Sequence, residues 1–329
     1  MKPKVFIAKP VPEEVEAFIS KHCDYRVWRE SVPIPEEVLK REVADVEGLM
    51  TPKGVITEEF LSHAPKLKIV SNIAVGYDAF DIEAMRRHGV IGTHTPGVLD
   101  DSVADLVFSL LLATARRIPE YDSYVKKGNW SHHLDSVEHF GKDVHHRTLG
   151  IIGPGRIGEK IAKRAALGFD MKVIYHSRAP KPKLEYTYGA QRKELHELLA
   201  ISDYVVVMVP LTEETHHFIG AEQFNLMKKD SVFINAARGA VIDEQALIEA
   251  LKNGRIWAAG LDVYETEPVE TNNPLLQLSN VVTLPHIGSA TAQARFDMAM
   301  LAAQNLVAGV TGGKPKNVVK ELRDLIKEE

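Results

Sequence analysis

Arg238 stands at the end of a short apolar segment, where an arginine would be costly unless an anion faced it. The segment covers residues 232–235, reads VFIN and is typical of a buried strand. Ala236, Ala237 and Gly239 flank the arginine and leave room beside it. Because a guanidinium rarely lies against a core without a partner, the pattern predicts either a structural ion pair or an anionic ligand.

A glycine-rich segment near the middle of the chain predicts a phosphate-binding turn. Residues 153–158 read GPGRIG and fit G-x-G-x-x-G, after an apolar run and before a helical pattern. Gly153 permits the tight turn, Gly155 lets the backbone approach a pyrophosphate, and Gly158 lets the helix pack on the strand. Free N–H groups at the helix N-terminus would face the phosphates. This context favours a dinucleotide site over an ordinary glycine turn, with the expected site residues Gly153, Pro154, Gly155, Arg156, Ile157 and Gly158.

The residues after the next strand favour a phosphorylated ribose. An NAD enzyme usually has an acid about twenty residues after the glycines, where it holds the ribose 2′-hydroxyl. Here the strand ends in His176, Ser177 and Arg178, with no acid. Ser177 and Arg178 could bind a 2′-phosphate through charge-assisted hydrogen bonds of roughly 1.5–3 kcal/mol each. We therefore predict that NADP(H) is preferred and that NAD(H) is accepted more weakly; the alternative is a merely basic loop.

The composition of the 329-residue chain is that of an ordinary globular protein of about two domains. Hydrophobic residues make up 45% and charged residues 26%, and the net charge of -5 disfavours nucleic acid as a partner. Cys23 is the only cysteine, so no intramolecular disulfide can form and a reducing compartment fits. The sequence shows neither a signal peptide nor a membrane span, so we expect a cytoplasmic location and no membrane partner.

Short apolar runs alternate with helical patterns over most of the chain, and these elements must position the residues above. The alternation predicts parallel sheets with helices on their faces, and its recurrence predicts two doubly wound α/β domains. A helical pattern over 100–120 separates them, and we expect Pro119 to end that helix. The polar, His-rich stretch that follows contains Trp130, and we predict that 119–147 forms a dimerisation arm. The predicted strands are 4–8, 46–50, 67–72, 148–152, 172–175, 204–208, 232–235 and 258–261, and the predicted early helices are 12–20, 35–41 and 81–88.

Six stretches of the chain together resemble the D-isomer-specific 2-hydroxyacid dehydrogenase family. They are VGYDAFD, TLGIIGPGRIG, PLTEETHHFIG, FINAARGAVIDEQAL, AAGLDVYETEP and LPHIGSAT, in the family's order and over almost the whole chain. Within the family the sequence is most similar to glyoxylate/hydroxypyruvate and 2-ketogluconate reductases. The resemblance implies a Rossmann NADP-binding domain, residues 101–288, inserted into a flavodoxin-like substrate domain made of residues 1–100 and 289–329.

The resemblance assigns catalytic roles to Arg238, Glu267 and His286. A guanidinium can take the carboxylate of a 2-oxo acid through two parallel hydrogen bonds, so Arg238 is expected to orient the substrate. His286 is expected to give the ketone oxygen its proton, because histidine can carry a proton near neutral pH. Glu267 would favour the protonated ring and orient it. Without the resemblance, each residue could equally be structural: an ion pair, a solvated acid and a core histidine.

Further positions follow from the resemblance. Val75 and Gly76 match the loop whose backbone N–H groups approach the substrate carboxylate, next to Arg238 and His286. The expected cofactor contacts outside the glycine turn are Val103, Ser177, Arg178, Val209, Pro210, Thr215, Ala236, Ala237, Asp262 and Gly288. No metal is expected, because the adjacent histidines at 132–133, 145–146 and 216–217 would point to opposite faces of a strand.

The leading prediction is a homodimeric enzyme that uses NADPH to reduce glyoxylate, hydroxypyruvate or 2-ketogluconate to the D-2-hydroxy acid. An NAD-dependent phosphoglycerate-type dehydrogenase stays open as an alternative, although such chains often carry an added regulatory domain. A non-enzymatic nucleotide sensor, similar to the family's transcriptional corepressors, is a second alternative, because those proteins retain the fold and the three catalytic residues. The sequence does not rank the 2-oxo acids, because their selection depends on pocket shape.

Overall fold

The computed structural model describes residues 1–52, 54–131 and 133–326. It divides into two compact units: unit 1 combines Met1–Leu99 with the C-terminal segment that starts at Ala290, and unit 2 is Asp100–Ser289. Within the described ranges, no helix is both long enough and apolar enough to cross a membrane.

The secondary structure alternates between strands and helices in both units. The strands are β1 (Lys4–Ile7), β2 (Asp24–Val27), β3 (Gly48–Thr51), β4 (Ile69–Asn72), β5 (Ile91–Thr93), β6 (Thr148–Ile152), β7 (Lys172–His176), β8 (Gln191–Arg192), β9 (Tyr204–Val207), β10 (Val232–Asn235), β11 (Ala258–Leu261) and β12 (Val281–Thr283). The helices are α1 (Glu13–His22), α2 (Glu36–Val43), α3 (Glu58–Ser62), α4 (Ile82–Arg87), α5 (Asp100–Ala115), α6 (Ile118–Lys126), α7 (Arg156–Phe169), α8 (Pro182–Tyr188), α9 (Leu195–Ile201), α10 (Ala221–Leu226), α11 (Glu244–Lys252) and α12 (Ala292–Val310).

Unit 1 contains a five-stranded sheet in the order β2-β1-β3-β4-β5, with every pair parallel. This is the flavodoxin-like order. The residues of β3 and β4 are buried throughout, because helices cover both faces of a parallel sheet. α12 packs along β3 and β4, and the Ser71 hydroxyl donates to the Ala302 carbonyl at 2.7 Å.

Unit 2 contains a seven-stranded parallel sheet in the order β12-β11-β10-β9-β6-β7-β8. The order reverses between β6 and β9, and ligands of open α/β sheets bind at such a switch point. The predicted fold class, two doubly wound parallel α/β sheets, is confirmed. The strands that the sequence analysis missed are β2, β5, β8 and β12. All four lie at sheet edges. β2 alternates exposed with half-buried residues, β8 has two residues, and β5 and β12 have three each, so each is too short or too exposed for its pattern to predict a strand.

The helix that opens unit 2 is shorter than predicted. α5 ends at Ala115, and Arg117 then adopts the left-handed conformation with φ of 55°. Pro119 lies in the first turn of the next helix, α6, where its missing N–H costs nothing. The prediction that Pro119 ends the long helix was therefore wrong: the chain breaks before the proline and a new helix starts with it.

Candidate active site

Three neighbouring strands of unit 2 deliver polar side chains to one edge of the sheet. β10 leads into Arg238, β11 into Asp262 and β12 into His286. The register pairs Asn235 with Leu261 and Leu261 with Thr283, so the three strands end side by side. Adjacent strands lie roughly 4.8 Å apart, and the loops that follow them therefore share one small region.

Gly239 holds two of these loops in close contact. A Cβ atom at this position would lie 1.8 Å from the carbonyl carbon of Tyr264 and 2.3 Å from the amide nitrogen of Glu265. Only glycine leaves space for that approach. The residue after Arg238 is therefore packed directly on the loop that carries Glu267.

His286 and Glu267 form a direct pair. The Nδ1 atom of His286 lies 2.8 Å from Oε2 of Glu267, and because a carboxylate only accepts, the ring donates. The other carboxylate oxygen, Oε1, accepts the N–H of Tyr264 at 3.3 Å. The Glu267 side chain is 19% exposed and that of His286 39%, so the acid is largely covered while the ring keeps access to solvent. This arrangement leaves Nε2 as the atom that can exchange a proton with a bound molecule.

Arg238 is held at the end of β10 by its immediate neighbours. Its Nη1 donates to the carbonyl of Ala237 at 2.8 Å. The buried Asn235 brackets the turn, since its amide nitrogen donates to the Arg238 carbonyl at 3.0 Å and its oxygen accepts the N–H of Ala237 at 3.1 Å. Ala236 and Ala237 thus form a tight turn, and this turn fixes the backbone position from which the Arg238 side chain extends.

Asp262 performs a task that sequence reasoning missed. Its two carboxylate oxygens accept the backbone N–H groups of Ile287 and Gly288 at 2.8 and 2.9 Å. The side chain is buried, and that burial raises its pKa, while the two N–H groups act in the opposite direction. Asp262 therefore anchors the loop that begins at His286, whose φ of 53° is unusual for a residue with a side chain. The sequence offered one signal for this role, an acid directly after a buried strand.

Val103 and Gly288 lie beside Asp262. A Cβ atom on Gly288 would come within 3.3 Å of Asp262 Oδ2 and 3.5 Å of a Val103 methyl group. The resemblance predicted all three as cofactor residues, and the structure brings them together at the sheet edge that also carries His286.

The glycine turn has the form that a pyrophosphate requires. Gly153 has φ of 85°, and a Cβ there would lie 2.5 Å from Val209, so the loops after β6 and β9 touch at the switch point. Apart from its chain neighbours, the described residues place no atom within 4 Å of a Cβ built on Gly155, so the backbone is open on that side. No side chain caps the N-terminus of α7, which leaves its first N–H groups available to an anion. Arg156 pairs with Asp100 at 3.2 Å, and together these features fit a dinucleotide.

Internal hydrogen bonds hold the loop after β9 in its conformation. The Thr215 hydroxyl donates to the carbonyl of Pro210 at 2.6 Å and accepts the N–H of Thr212 at 2.8 Å. Thr215 therefore shapes the loop that carries Val209 and Pro210 past the glycine turn.

Ser177 and Arg178 follow β7, which pairs with β6 on the side opposite β9. The Ser177 hydroxyl donates to the carbonyl of Ala179 at 2.6 Å, so its proton already forms a hydrogen bond within the turn. Hydrogen bonding from the Thr212 hydroxyl and from its own backbone N–H, together with the nearby Arg178 charge, lowers the pKa of the Glu214 carboxyl. The Glu214 carboxyl group therefore lies within electrostatic range of Arg178.

Val75 and Gly76 belong to unit 1, just after β4. The Val75 carbonyl accepts from Nδ1 of His94 at 2.8 Å, and the Gly76 carbonyl accepts from the amide of Asn72 at 2.7 Å. Both carbonyls of this loop are thus fixed by side chains of their own unit.

The adjacent histidines give no indication of a metal site. In the described ranges, no cluster of three or more His, Cys, Asp or Glu side chains could hold a metal ion. The rings of His216 and His217 stack at 4.0 Å in a turn, and His217 pairs with Glu265 at 2.8 Å. Since these two histidines lie in a turn, the expectation that their side chains point to opposite faces of a strand does not apply to them. His132 lies outside the described residues.

Comparisons with known proteins agree on one family. The sequence pattern of the family described as "D-isomer specific 2-hydroxyacid dehydrogenase, NAD binding domain" matches residues 108–288. A glyoxylate/hydroxypyruvate reductase B from Serratia proteamaculans (strain 568) is 46% identical over 319 residues, which cover 97% of this chain and 98% of the relative. A second protein of that name, from Erwinia tasmaniensis, is 46% identical over 323 residues, which cover 97% and 99%.

Solved structures show the same likeness. A glyoxylate reductase from Paecilomyes thermophila superposes with a TM-score of 0.87 at 29% identity, covering 98% of this chain and 99% of that one. An NADPH-dependent glyoxylate/hydroxypyruvate reductase from Sinorhizobium meliloti, in complex with NADP and malonate, gives 0.84 at 30% identity and covers 98% of each chain.

Proposed function

Since this chain belongs to the D-isomer-specific 2-hydroxyacid dehydrogenase family, we propose that it reduces glyoxylate, hydroxypyruvate or 2-ketogluconate with NADPH as the preferred reductant. The observation that carries the proposal is the 2.8 Å contact between His286 and Glu267, at the sheet edge that also carries Arg238. Glyoxylate and hydroxypyruvate are favoured by the names of the relatives. 2-Ketogluconate rests on the sequence resemblance alone.

In the proposed mechanism, Arg238 binds the carboxylate of the 2-oxo acid through two hydrogen bonds and so fixes the adjacent ketone. The family resemblance adds the backbone N–H groups of Val75 and Gly76 as further contacts of the substrate carboxylate. A bound reduced nicotinamide supplies the hydride that the ketone carbon accepts.

His286 supplies the proton in this mechanism. As negative charge grows on the ketone oxygen, Nε2 of the protonated ring donates its proton there, which completes the hydroxyl group of the product. Glu267 accepts from Nδ1 throughout, so it fixes the ring orientation and stabilises its positive charge. In the direction of oxidation, the neutral ring takes the proton back.

Asp262 has a supporting role in the proposal. It anchors the N–H groups of Ile287 and Gly288 and so holds His286 in its unusual backbone conformation. Together with Val103, it would border the nicotinamide.

The residues proposed to hold the cofactor phosphates are those of the turn 153–158 and the first N–H groups of α7. For the 2′-phosphate we propose Arg178 as the main contact. Ser177 is the weaker contact, because its hydroxyl must first release the Ala179 carbonyl. NAD(H) would bind without these contacts and therefore more weakly.

The proposal is tested by following NADPH and NADH oxidation with glyoxylate, hydroxypyruvate and 2-ketogluconate. We expect turnover with at least one of these acids and a higher kcat/KM with NADPH. Binding of NADPH without turnover of any 2-oxo acid would favour the nucleotide-sensing alternative. Turnover of a phosphorylated 3-carbon hydroxy acid with NAD alone would favour the phosphoglycerate-type alternative.

We also propose that the chain is a homodimer that uses the segment 119–147. Large apolar side chains in and beside this segment are exposed, among them Trp130 at 64% and Val137 at 79%. Such exposure is expected where a second copy covers the surface. Light scattering should give the mass of a dimer, and Trp130→Asp should shift it toward the monomer; a monomeric wild-type protein would refute the proposal.

A further inference from the structure

Arg192 lies beside the end of β7, although neither the glycine pattern nor the family resemblance marks it. It belongs to the two-residue edge strand β8, which pairs in parallel with β7 so that Arg192 stands opposite Tyr175. The N–H of Lys193 donates to the Tyr175 carbonyl at 2.9 Å, and His176 Nδ1 donates to the Lys193 carbonyl at 3.1 Å. These bonds fix Arg192 next to the turn that begins at Ser177.

The guanidinium of Arg192 is bound to that turn. Its Nε donates to the carbonyl of Ser177 at 3.1 Å, and its Nη2 donates to the carbonyl of Arg178 at 3.3 Å. A guanidinium has five N–H donors, so these two bonds leave others to spare. Among the described residues, no carboxylate forms an ion pair with Arg192.

The groups around this turn explain why Arg192 matters for binding an anion there. Glu214 is close enough to Arg178 for the two charges to interact, so it offsets part of the attraction that Arg178 offers an anion. The Ser177 hydroxyl is occupied by the Ala179 carbonyl. Arg192, bound to the Ser177 and Arg178 carbonyls, therefore adds a second positive charge beside Arg178 at this turn.

We infer that Arg192 is a second determinant of NADP specificity: it holds the backbone of Ser177 and Arg178 in place and adds the positive charge that a 2′-phosphate dianion requires. The inference rests on the proposed preference for NADPH. It predicts that Arg192 discriminates between the two cofactors rather than supporting dinucleotide binding in general, because NADH lacks only the phosphate.

The test is a titration of the whole protein with NADPH and NADH, without substrate, for wild type, Arg192→Gln and Arg192→Lys. We expect Arg192→Gln to raise the Kd for NADPH about tenfold, as for the loss of one charge-assisted bond. The Kd for NADH should stay within about twofold, the usual range for a surface substitution. Arg192→Lys keeps the charge but not the two-bonded geometry, so its NADPH affinity should fall between those of wild type and Arg192→Gln.

Lys172→Gln is the matched control. It removes one exposed positive charge at the start of β7, roughly 13 Å along the strand from His176 at 3.3 Å per residue. Both Kd values should stay within about twofold of wild type. Adenosine 2′,5′-bisphosphate and AMP give the same comparison without the nicotinamide: only the bisphosphate should lose affinity in Arg192→Gln.

The outcomes separate this inference from the proposed function. A wild-type preference for NADH would reject the proposed cofactor preference by itself. An unchanged NADPH affinity in Arg192→Gln would overturn the inference while leaving that preference intact. Equal losses for NADPH and NADH would also overturn it, because Arg192 would then be merely structural.

Discussion

Glu267→Gln removes the charge that faces His286 while keeping the size and shape of the side chain. In the native structure both carboxylate oxygens accept: Oε2 from the ring Nδ1 at 2.8 Å, and Oε1 from the Tyr264 N–H at 3.3 Å. A glutamine has only one oxygen. Either its amide group meets the Tyr264 N–H, which leaves two donors facing each other, or it meets Nδ1 and selects the ring tautomer whose Nδ1 is unprotonated.

The expected loss of activity follows from the strength of the bond. The carboxylate of Glu267 stabilises the protonated ring of His286, and a hydrogen bond to a charged group contributes about 1.5–3 kcal/mol. If the variant loses that stabilisation in the transition state for reduction, kcat should fall roughly 10- to 150-fold.

The assay is steady-state reduction of glyoxylate with NADPH across a range of pH values, with NADPH affinity measured separately by titration. Glu265→Gln is the control, since this neighbouring acid contacts His217 and the Glu244 N–H and has no bond to His286. Its kcat should stay within about twofold of wild type. If Glu267→Gln keeps the wild-type kcat, the pairing does not assist proton transfer and the proposed mechanism fails.

Three further substitutions test the surrounding structure. Arg238→Lys should raise the KM for the 2-oxo acid about tenfold or more with little change in NADPH affinity, because an ammonium cannot form two parallel bonds to a carboxylate; an unchanged KM would remove the arginine from substrate binding. Asp262→Asn should lower the free energy of unfolding, measured in urea, by about 2–3 kcal/mol, since one buried N–H loses its charged acceptor. It should also lower kcat through His286, and a variant as stable as wild type would show that the anchor is dispensable. Gly239→Ala should lower the free energy of unfolding by about 3 kcal/mol or more, because its Cβ would overlap the Tyr264 carbonyl group; an unchanged unfolding midpoint would contradict that close contact.

The sequence anticipated the regular parts of the fold because their causes are local. Central strands such as β9 and β10 are buried on both faces and therefore appear as continuous apolar runs. Edge strands such as β8 and β12 are only two and three residues long, so pairing with their neighbours is what identifies them as strands. The break between α5 and α6 was misplaced for a related reason: the left-handed Arg117 carries no compositional mark, whereas Pro119 does.

The sequence by itself determined that the chain builds two parallel α/β sheets and that a glycine turn follows β6, and it predicted that Arg238 faces an anion. These inferences follow from the spacing of apolar residues along the sequence, from the steric freedom of glycine and from the cost of burying a guanidinium without a partner. The tertiary structure supplied the contact between His286 and Glu267 that the family resemblance implied. It alone decided that Asp262 anchors the loop of His286 and that Arg192 reaches the turn after β7. Those contacts join residues up to 26 positions apart, and they form only because the order of strands in the sheet brings the ends of β10, β11 and β12, and separately of β7 and β8, side by side.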